Sequence, residues 1–142
     1  MYRKIGLISS IEICCLVTVF LICLVIALFA QNIFTENLSY GVCTVLSWGW
    51  VATTCAYSCF TQKEYSAAAK IGVSIGVIYA TIISIVYFTQ LTTVLYKSVD
   101  EIILQAFSFT SAGSWLFNLD LLGYGLLSIS TFFIGLTLQT KD

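Results

Sequence analysis

Two acidic residues within long apolar runs are the side chains of this sequence best suited to chemistry. Glu12 lies in the run 5–30, and Asp120 lies in the run 113–138. An ionised carboxylate at the centre of a membrane helix costs about 2.5–3.5 kcal/mol even by lenient insertion scales. We therefore expect each acid to form an ion pair, to exchange a proton or an ion, or to snorkel toward water.

Other kinds of active site lack the residues they need. The chain contains no histidine, which excludes imidazole-dependent triads and imidazole-ligated metals. Intramembrane aspartyl proteolysis needs two neighbouring aspartates, and the apolar runs contain only Asp120. The six cysteines all lie in apolar runs and include no Cys-x-x-Cys pair. The sequence therefore predicts a protein that is not an enzyme and binds no metal or other cofactor.

The elements that position these acids follow from composition. The 142 residues are 59% apolar and only 9% charged, whereas an ordinary soluble domain is about 25% charged. Four apolar runs, 5–30, 39–60, 71–96 and 113–138, each reach the length of about 20 residues that crosses a bilayer as a helix. We predict a single-domain, all-α integral membrane protein, a four-helix transmembrane bundle, whose partner is the lipid bilayer and not a nucleic acid.

The basic residues predict the orientation, because Lys and Arg of short loops stay on the cytoplasmic side. In a four-helix topology only Lys97 lies on one side, and the other five lie opposite it: Arg3, Lys4, Lys63, Lys70 and Lys141. Both termini are therefore predicted to be cytoplasmic. The alternative of a cleaved signal is disfavoured, because its apolar core has about 7–15 residues and its cleavage site needs a small residue where Leu28 stands.

This orientation sets the depth of both acids. Each lies seven residues into its run, about 10 Å from the membrane boundary, Glu12 on the cytoplasmic side and Asp120 on the outer side. They are not expected to form a carboxylate pair. Lys70 and Lys97 are the basic residues nearest in depth to Glu12 and Asp120, respectively, so a structural ion pair is the plainer interpretation and ion coupling the alternative.

Three polar residues fall at about the depth of Asp120: Thr44, Gln90 and Asn118. We expect them either to line a shallow polar pocket with Asp120, open to the outside, or to form hydrogen bonds between helices.

Two capping boxes occur in the connections. Thr61 with Glu64 predicts that the third helix starts about six residues before its apolar part. Ser98 with Glu101 precedes apolar residues at helical spacing, which predicts a short amphipathic helix on the outer interface. A plain polar loop is the alternative there.

A stripe of small residues runs along the third apolar run at every fourth position: Ala68, Gly72, Gly76, Ala80 and Ser84. In lipid, helices associate where small side chains let two backbones approach. The stripe is predicted to pack against helices of the same chain, with a homo-oligomer or a partner membrane subunit as the alternative. Gly123, Thr131 and Gly135 form the face of the fourth run that is expected to meet it.

Two segments carry a resemblance to a family. The stretches 87–92 (YFTQLT) and 119–126 (LDLLGYGL), within the region 82–138, resemble uncharacterised multi-spanning inner-membrane proteins of bacteria. The resemblance implies a small helical protein of the bacterial inner membrane with no assigned activity. It directs attention to Gln90 and Asp120.

A second resemblance is to small multidrug transporters, which have four helices, a carboxylate in the first span and a glycine-rich third span. Glu12 and Gly72-x-x-x-Gly76 match that pattern. The 16-residue outer loop 97–112 and the strong basic bias depart from it. This resemblance implies proton-coupled transport of hydrophobic or cationic solutes.

Two hypotheses follow. The first is a non-enzymatic membrane protein whose stripe serves packing and assembly. The second is a small proton-coupled transporter in which Glu12 or Asp120 exchanges a proton for a hydrophobic or cationic solute.

Overall fold

A computed structural model describes residues 2–29, 33–94, 100–109 and 113–138 of the chain. Every regular element in these ranges is helical. The five α-helices are α1 (Tyr2–Phe29), α2 (Ile33–Ser58), α3 (Ser66–Thr89), α4 (Glu101–Phe107) and α5 (Trp115–Leu136). A 3₁₀ turn (Lys63–Tyr65) leads into α3, and a π-helical turn (Gln90–Val94) extends it.

Three of these helices are long and apolar enough to cross a membrane. They are Tyr2–Phe29, Lys63–Val94 counted with its flanking turns, and Trp115–Leu136. The helix α2, of 26 residues, is not among them. An all-helical membrane protein is therefore compatible with the described structure.

The long helices pack in chain order. In the described part of the chain α1 lies against α2, α2 against α3, and α3 against α5, whereas α1 makes no comparable contact with α3 or α5. The core lies among α2, α3 and α5. Only Ser9 and Cys23 are buried on α1, so this helix is an outlying element attached to one side of a three-helix core.

Glycines of α3 and α5 accept large side chains from the facing helix. A Cβ placed on Gly72 would lie 2.9 Å from Ile134, and one on Gly123 would lie 2.9 Å from Ile83. The contact is thus an isoleucine set into the gap at each glycine, in the manner of ridges fitting into grooves.

The face of α5 that meets α3 differs from the predicted one. Gly123 belongs to it, but Thr131 is exposed, and a Cβ placed on Gly135 would have no neighbouring atom within 4 Å. Ser130 and Ile134 occupy the contact instead. Adjacent residues of a helix are about 100° apart, so a displacement of one position moves a side chain from the interface to the surface.

The N-cap of the 3₁₀ turn that leads into α3 is Gln62 and not Thr61, the first residue of the predicted capping box. The Thr61 hydroxyl donates to the carbonyl of Tyr57 at 3.5 Å, and Gln62, which precedes the 3₁₀ turn, makes no side-chain capping hydrogen bond. The helical segment nevertheless begins well before the apolar part, at Lys63.

Ser114 caps α5. Its hydroxyl accepts a hydrogen bond from the Phe117 backbone N–H at 3.1 Å, and Gly113 before it has a φ of 89°, a conformation that favours glycine. A short helix, α4, is present where the second capping box predicts one, and Asp100 stands at its N-cap without a side-chain hydrogen bond. Ser98, the first residue of that predicted box, lies outside the described residues.

Candidate functional site

Asp120 is a buried carboxyl on the face of α5 that meets α3. It shares that face with Leu116, Gly123, Ser130 and Ile134, the other buried residues of the helix. Its exposed fraction is 8%, and its Oδ1 atom is buried without a hydrogen-bond partner. A buried carboxylate oxygen without a donor is costly, so the site favours a proton or a cation at this position.

Tyr87 is the central polar neighbour of Asp120. It projects from α3 and is 6% exposed. Its hydroxyl lies 3.2 Å from the hydroxyl of Tyr124, one turn beyond Asp120 on α5. The same hydroxyl lies beside the Asp120 carboxyl and the thiol of Cys43. Groups from α2, α3 and α5 therefore meet around one carboxyl, and we call Asp120, Tyr87, Tyr124 and Cys43 the carboxyl cluster.

Two further aromatic rings, Tyr40 and Phe109, stack with Tyr87 on one side of the carboxyl cluster. The ring centroids of Tyr40 and Tyr87 are 5.5 Å apart, and Phe109 lies 5.9 Å from Tyr40 and 6.0 Å from Tyr87, all in stacked orientations. Phe109 also meets Phe117 edge to face at 6.3 Å. Because Phe109 follows α4, the connection between α3 and α5 supplies part of the cover on this side of the cluster, whereas Tyr124 on α5 is 41% exposed.

Gln90 fixes this connection. It is 3% exposed, and its Nε2 donates to the backbone carbonyl of Phe107 at 2.6 Å. Gln90 starts the π-helical turn, a rare geometry that is frequently found at functional sites. The hydrogen bond joins the end of α3 to the end of α4.

The other two predicted pocket residues make hydrogen bonds elsewhere. Thr44, which is half-buried, donates to the Tyr40 carbonyl of its own helix at 3.0 Å. Asn118 is exposed, and its amide lies 3.5 Å from the Gly113 carbonyl. In the described part of the chain no hydrogen bond joins Thr44, Gln90 or Asn118 to Asp120, so the shallow shared pocket stays a prediction.

Glu12 lies apart from the carboxyl cluster. It is half-buried on α1, which packs on α2, whereas Lys70 is exposed on α3. Within the described ranges no ion pair joins these two residues. Lys97, the expected partner of Asp120, lies outside the described residues.

The small-residue stripe is placed largely inside the core. Gly72, Gly76 and Ala80 are buried, and Ser84 accepts a hydrogen bond from the Trp48 indole N–H at 2.9 Å. Ala68 is half-buried, and the adjacent Ala69 is the buried alanine at that level. The stripe therefore meets α5 and α2 of the same chain.

One serine connects all three core helices. The Ser130 hydroxyl on α5 donates to the Gly72 carbonyl on α3 at 2.7 Å and accepts from the Trp50 indole N–H on α2 at 3.3 Å. Ser130 is fully buried. This polar bridge holds the tryptophan in the middle of α2 against the other two core helices.

The carboxyl cluster offers a carboxyl oxygen without a donor, two phenol hydroxyls and a thiol. These groups can hold a proton or accept a cation, and the stacked rings add faces that attract positive charge. The described residues include no group of three or more histidines, cysteines or acids that would hold a metal ion.

Sequence reasoning missed the neighbours of Asp120. Tyr87 lies seven residues beyond Ala80, and Tyr124 lies four beyond Asp120, so helical spacing puts each on the same face as a residue already singled out. These two tyrosines could have been found by following each of these helix faces for one or two more turns. No local pattern pointed to Phe109, because the connection that carries it is positioned by tertiary contacts.

Compared with models of protein families, with curated proteins and with solved structures, the chain matches none of them. The two resemblances drawn from its motifs gain no support from these comparisons.

Proposed function

We propose that this chain is a non-enzymatic, multi-pass protein of the bacterial inner membrane in which all four long helices span the bilayer. The helix α2 lies between α1 and α3 and packs along both. A helix of 26 residues is about 39 Å long, sufficient to cross. Several of its hydroxyl groups donate to backbone carbonyls of the same helix, as where Thr54 donates to the Trp50 carbonyl at 3.0 Å, which supports burial of a less apolar helix.

The proposed orientation keeps both termini in the cytoplasm. The contacts of Gly6 with Ala56 and of Gly49 with Ile13 make α1 and α2 antiparallel, so the start of α1 and the end of α2 share one side. Arg3, Lys4 and Lys63 lie at that end of the molecule, as the preference for cytoplasmic basic residues requires. Lys141 lies outside the described residues.

We place α4 at the outer interface. It has seven residues, and Ile102 is 83% exposed, whereas Phe107 packs against the core. An exposed apolar residue on a helix held at the membrane surface by its other end is suited to contact with lipid.

The function that the geometry supports best is the packing role of the small-residue stripe. The observation that carries it is the contact at Gly72, where the facing Ile134 leaves no space for a side chain. The stripe is used within one chain, so a homo-oligomer or a partner membrane subunit would have to contact another surface. The mostly exposed α1 provides such a surface.

Substitution of Gly72 or Gly76 by Leu tests this role. We expect either variant to unfold at a lower SDS fraction or to lose its monodisperse state in detergent, because the added side chain separates α3 from α5. Gly125→Leu is the matched control, since nothing lies within 4 Å of a Cβ placed there. Equal behaviour of Gly72→Leu and Gly125→Leu would contradict the packing role.

A second candidate function, proton-coupled transport of hydrophobic or cationic solutes, is favoured by the unpartnered Oδ1 of Asp120. In this mechanism a cation binds the carboxylate as its proton leaves to water. The cluster favours Asp120 over Glu12 as the exchanging group, because three helices enclose it.

Solute-driven proton release by the purified protein tests the transport candidate. Hydrophobic cations are added in weakly buffered detergent, and the pH change is recorded for the native chain, Asp120→Asn and Glu12→Gln. We expect release that Asp120→Asn abolishes and Glu12→Gln retains. Release that persists in Asp120→Asn, or the absence of release in the native chain with every cation, would argue against this candidate.

A further inference from the structure

A narrow groove separates α1 and α2 at the end of the molecule where α1 starts and α2 finishes. Gly6 and Ala56 form its floor, where a side chain on Gly6 would lie 3.2 Å from the Ala56 Cβ. The walls include Arg3 and Ser10 from α1 and Thr53 from α2, and most of the remaining lining is apolar. This groove is separate from the carboxyl cluster.

Two polar groups of the groove have no partner among the residues that the structure describes. Thr53 has a buried Oγ1 atom without a hydrogen-bond partner. Arg3 is exposed at the mouth, and no carboxylate among the described residues pairs with its guanidinium. Arginine stays charged and its planar group fits phosphate oxygens, so the mouth is complementary to an anionic group.

The depth of these groups matches a membrane lipid. The contacts of Gly6 with Ala56 and of Ile13 with Gly49 set a register in which Thr53 lies level with Ser9. Arg3 is six residues nearer the helix end, or about 9 Å closer to the membrane surface. A phospholipid has the same order along its length: an anionic phosphate at the surface, ester carbonyls below it and an acyl chain beneath.

We infer that this groove binds one anionic phospholipid. Arg3 contacts the phosphate and an acyl chain lies along the apolar walls, while the Thr53 side chain rotates to turn its buried hydroxyl toward an ester carbonyl. Anionic lipids are abundant on the cytoplasmic side, where the basic residues place this end. The inference rests on the proposed membrane placement of α1 and α2, but not on the packing role of the stripe or on transport.

Lipid binding by the full chain in detergent tests the inference. Native mass spectrometry measures the binding of phosphatidylglycerol and phosphatidylcholine to the native chain, Arg3→Gln, Thr53→Val and Lys4→Gln. Lys4 is the matched control, because it lies beside Arg3 on the same helix but does not line the groove. All four proteins are first compared by their unfolding in SDS, which separates loss of binding from loss of fold.

We expect the native chain to retain one phosphatidylglycerol in preference to phosphatidylcholine. Arg3→Gln should weaken phosphatidylglycerol binding about tenfold and Lys4→Gln less than about twofold, since one charge-assisted hydrogen bond contributes on this order. Thr53→Val should weaken the binding of both lipids. Equal binding of the two lipids by the native chain, equal losses in Arg3→Gln and Lys4→Gln, or displacement of the lipid by inorganic phosphate would overturn the inference.

Discussion

Replacing Ser130 by Ala removes the bridge that connects α2, α3 and α5. The serine hydroxyl lies 2.7 Å from the Gly72 carbonyl and 3.3 Å from the Trp50 indole nitrogen, and the residue is fully buried. Alanine keeps the space at the helix contact almost unchanged but leaves the indole N–H without an acceptor. The substitution therefore tests the polar contribution to this core separately from its packing.

The expected loss follows from the two hydrogen bonds. An interhelical hydrogen bond in a membrane protein contributes about 0.6 kcal/mol on average and about 1.7 kcal/mol at most. Two bonds, with one donor left buried and unpaired, give an expected decrease of about 1–3 kcal/mol in the free energy of unfolding. The longer bond to the indole should contribute the smaller part.

Ser128→Ala is the matched control. Ser128 lies two residues away on α5, is exposed, and its hydroxyl donates only to the Tyr124 carbonyl of its own helix at 3.0 Å. We expect this variant to differ from the native chain by less than about 0.5 kcal/mol. Reversible unfolding in mixed micelles at increasing SDS, followed by circular dichroism, measures the free energy for both variants.

A double-mutant cycle with Trp50→Phe isolates the bond to the indole. Its coupling energy with Ser130→Ala should be about 0.6 kcal/mol and favourable. If Ser130→Ala is as stable as Ser128→Ala, the bridge does not stabilise the core and the reasoning fails. If it is destabilised without coupling to Trp50, the bond to Gly72 alone carries the effect.

Two further substitutions test the helix contact and the cover of the carboxyl cluster. Gly123→Ala should lower the free energy of unfolding in the same SDS assay by about 1–3 kcal/mol, because its Cβ would lie 2.9 Å from a packed isoleucine of α3. In the control Gly125→Ala, the free energy of unfolding should stay unchanged or rise by up to about 1 kcal/mol. Equal stabilities of the two variants would refute the close contact at Gly123. Gln90→Leu removes the 2.6 Å bond to the Phe107 carbonyl and should speed cleavage after Glu101 by a glutamate-specific protease. The exposed Gln105→Leu should not change the cleavage rate, and an unchanged rate in Gln90→Leu would show that the hydrogen bond to Phe107 does not hold the connection in place.

The helices themselves could be predicted from sequence because long apolar runs leave the backbone few alternatives to a helix. Apolar runs of membrane length must satisfy every N–H and C=O internally, so their helical state is a local property. The predicted and observed starts differ most at α2, which begins at Ile33 and not at residue 39. Its first turn contains Glu36 and Asn37, and the helix there is continued by backbone hydrogen bonding that an apolar-run criterion does not detect.

The contact between α3 and α5 was predictable only on one side. Small residues at every fourth position identify the face of α3, since helical spacing is fixed by geometry. Which residues fill the gaps depends on the rotation of the other helix about its axis. Matching small residues to small residues selected Thr131 and Gly135, whereas the structure sets Ile134 against Gly72, because close packing needs a large side chain opposite an empty position.

The sequence by itself determined the helical class, the membrane-compatible runs, the small-residue face and the presence of a carboxyl in the last run, because each depends on composition or on the fixed period of a helix. Only the tertiary structure decided that Asp120 meets Tyr87 and Tyr124 while Glu12 lies apart on α1. That difference depends on which helices are neighbours and on their rotation. The choice of neighbouring helices and their rotation are set by side-chain packing summed over whole interfaces, and no single stretch of sequence contains that information.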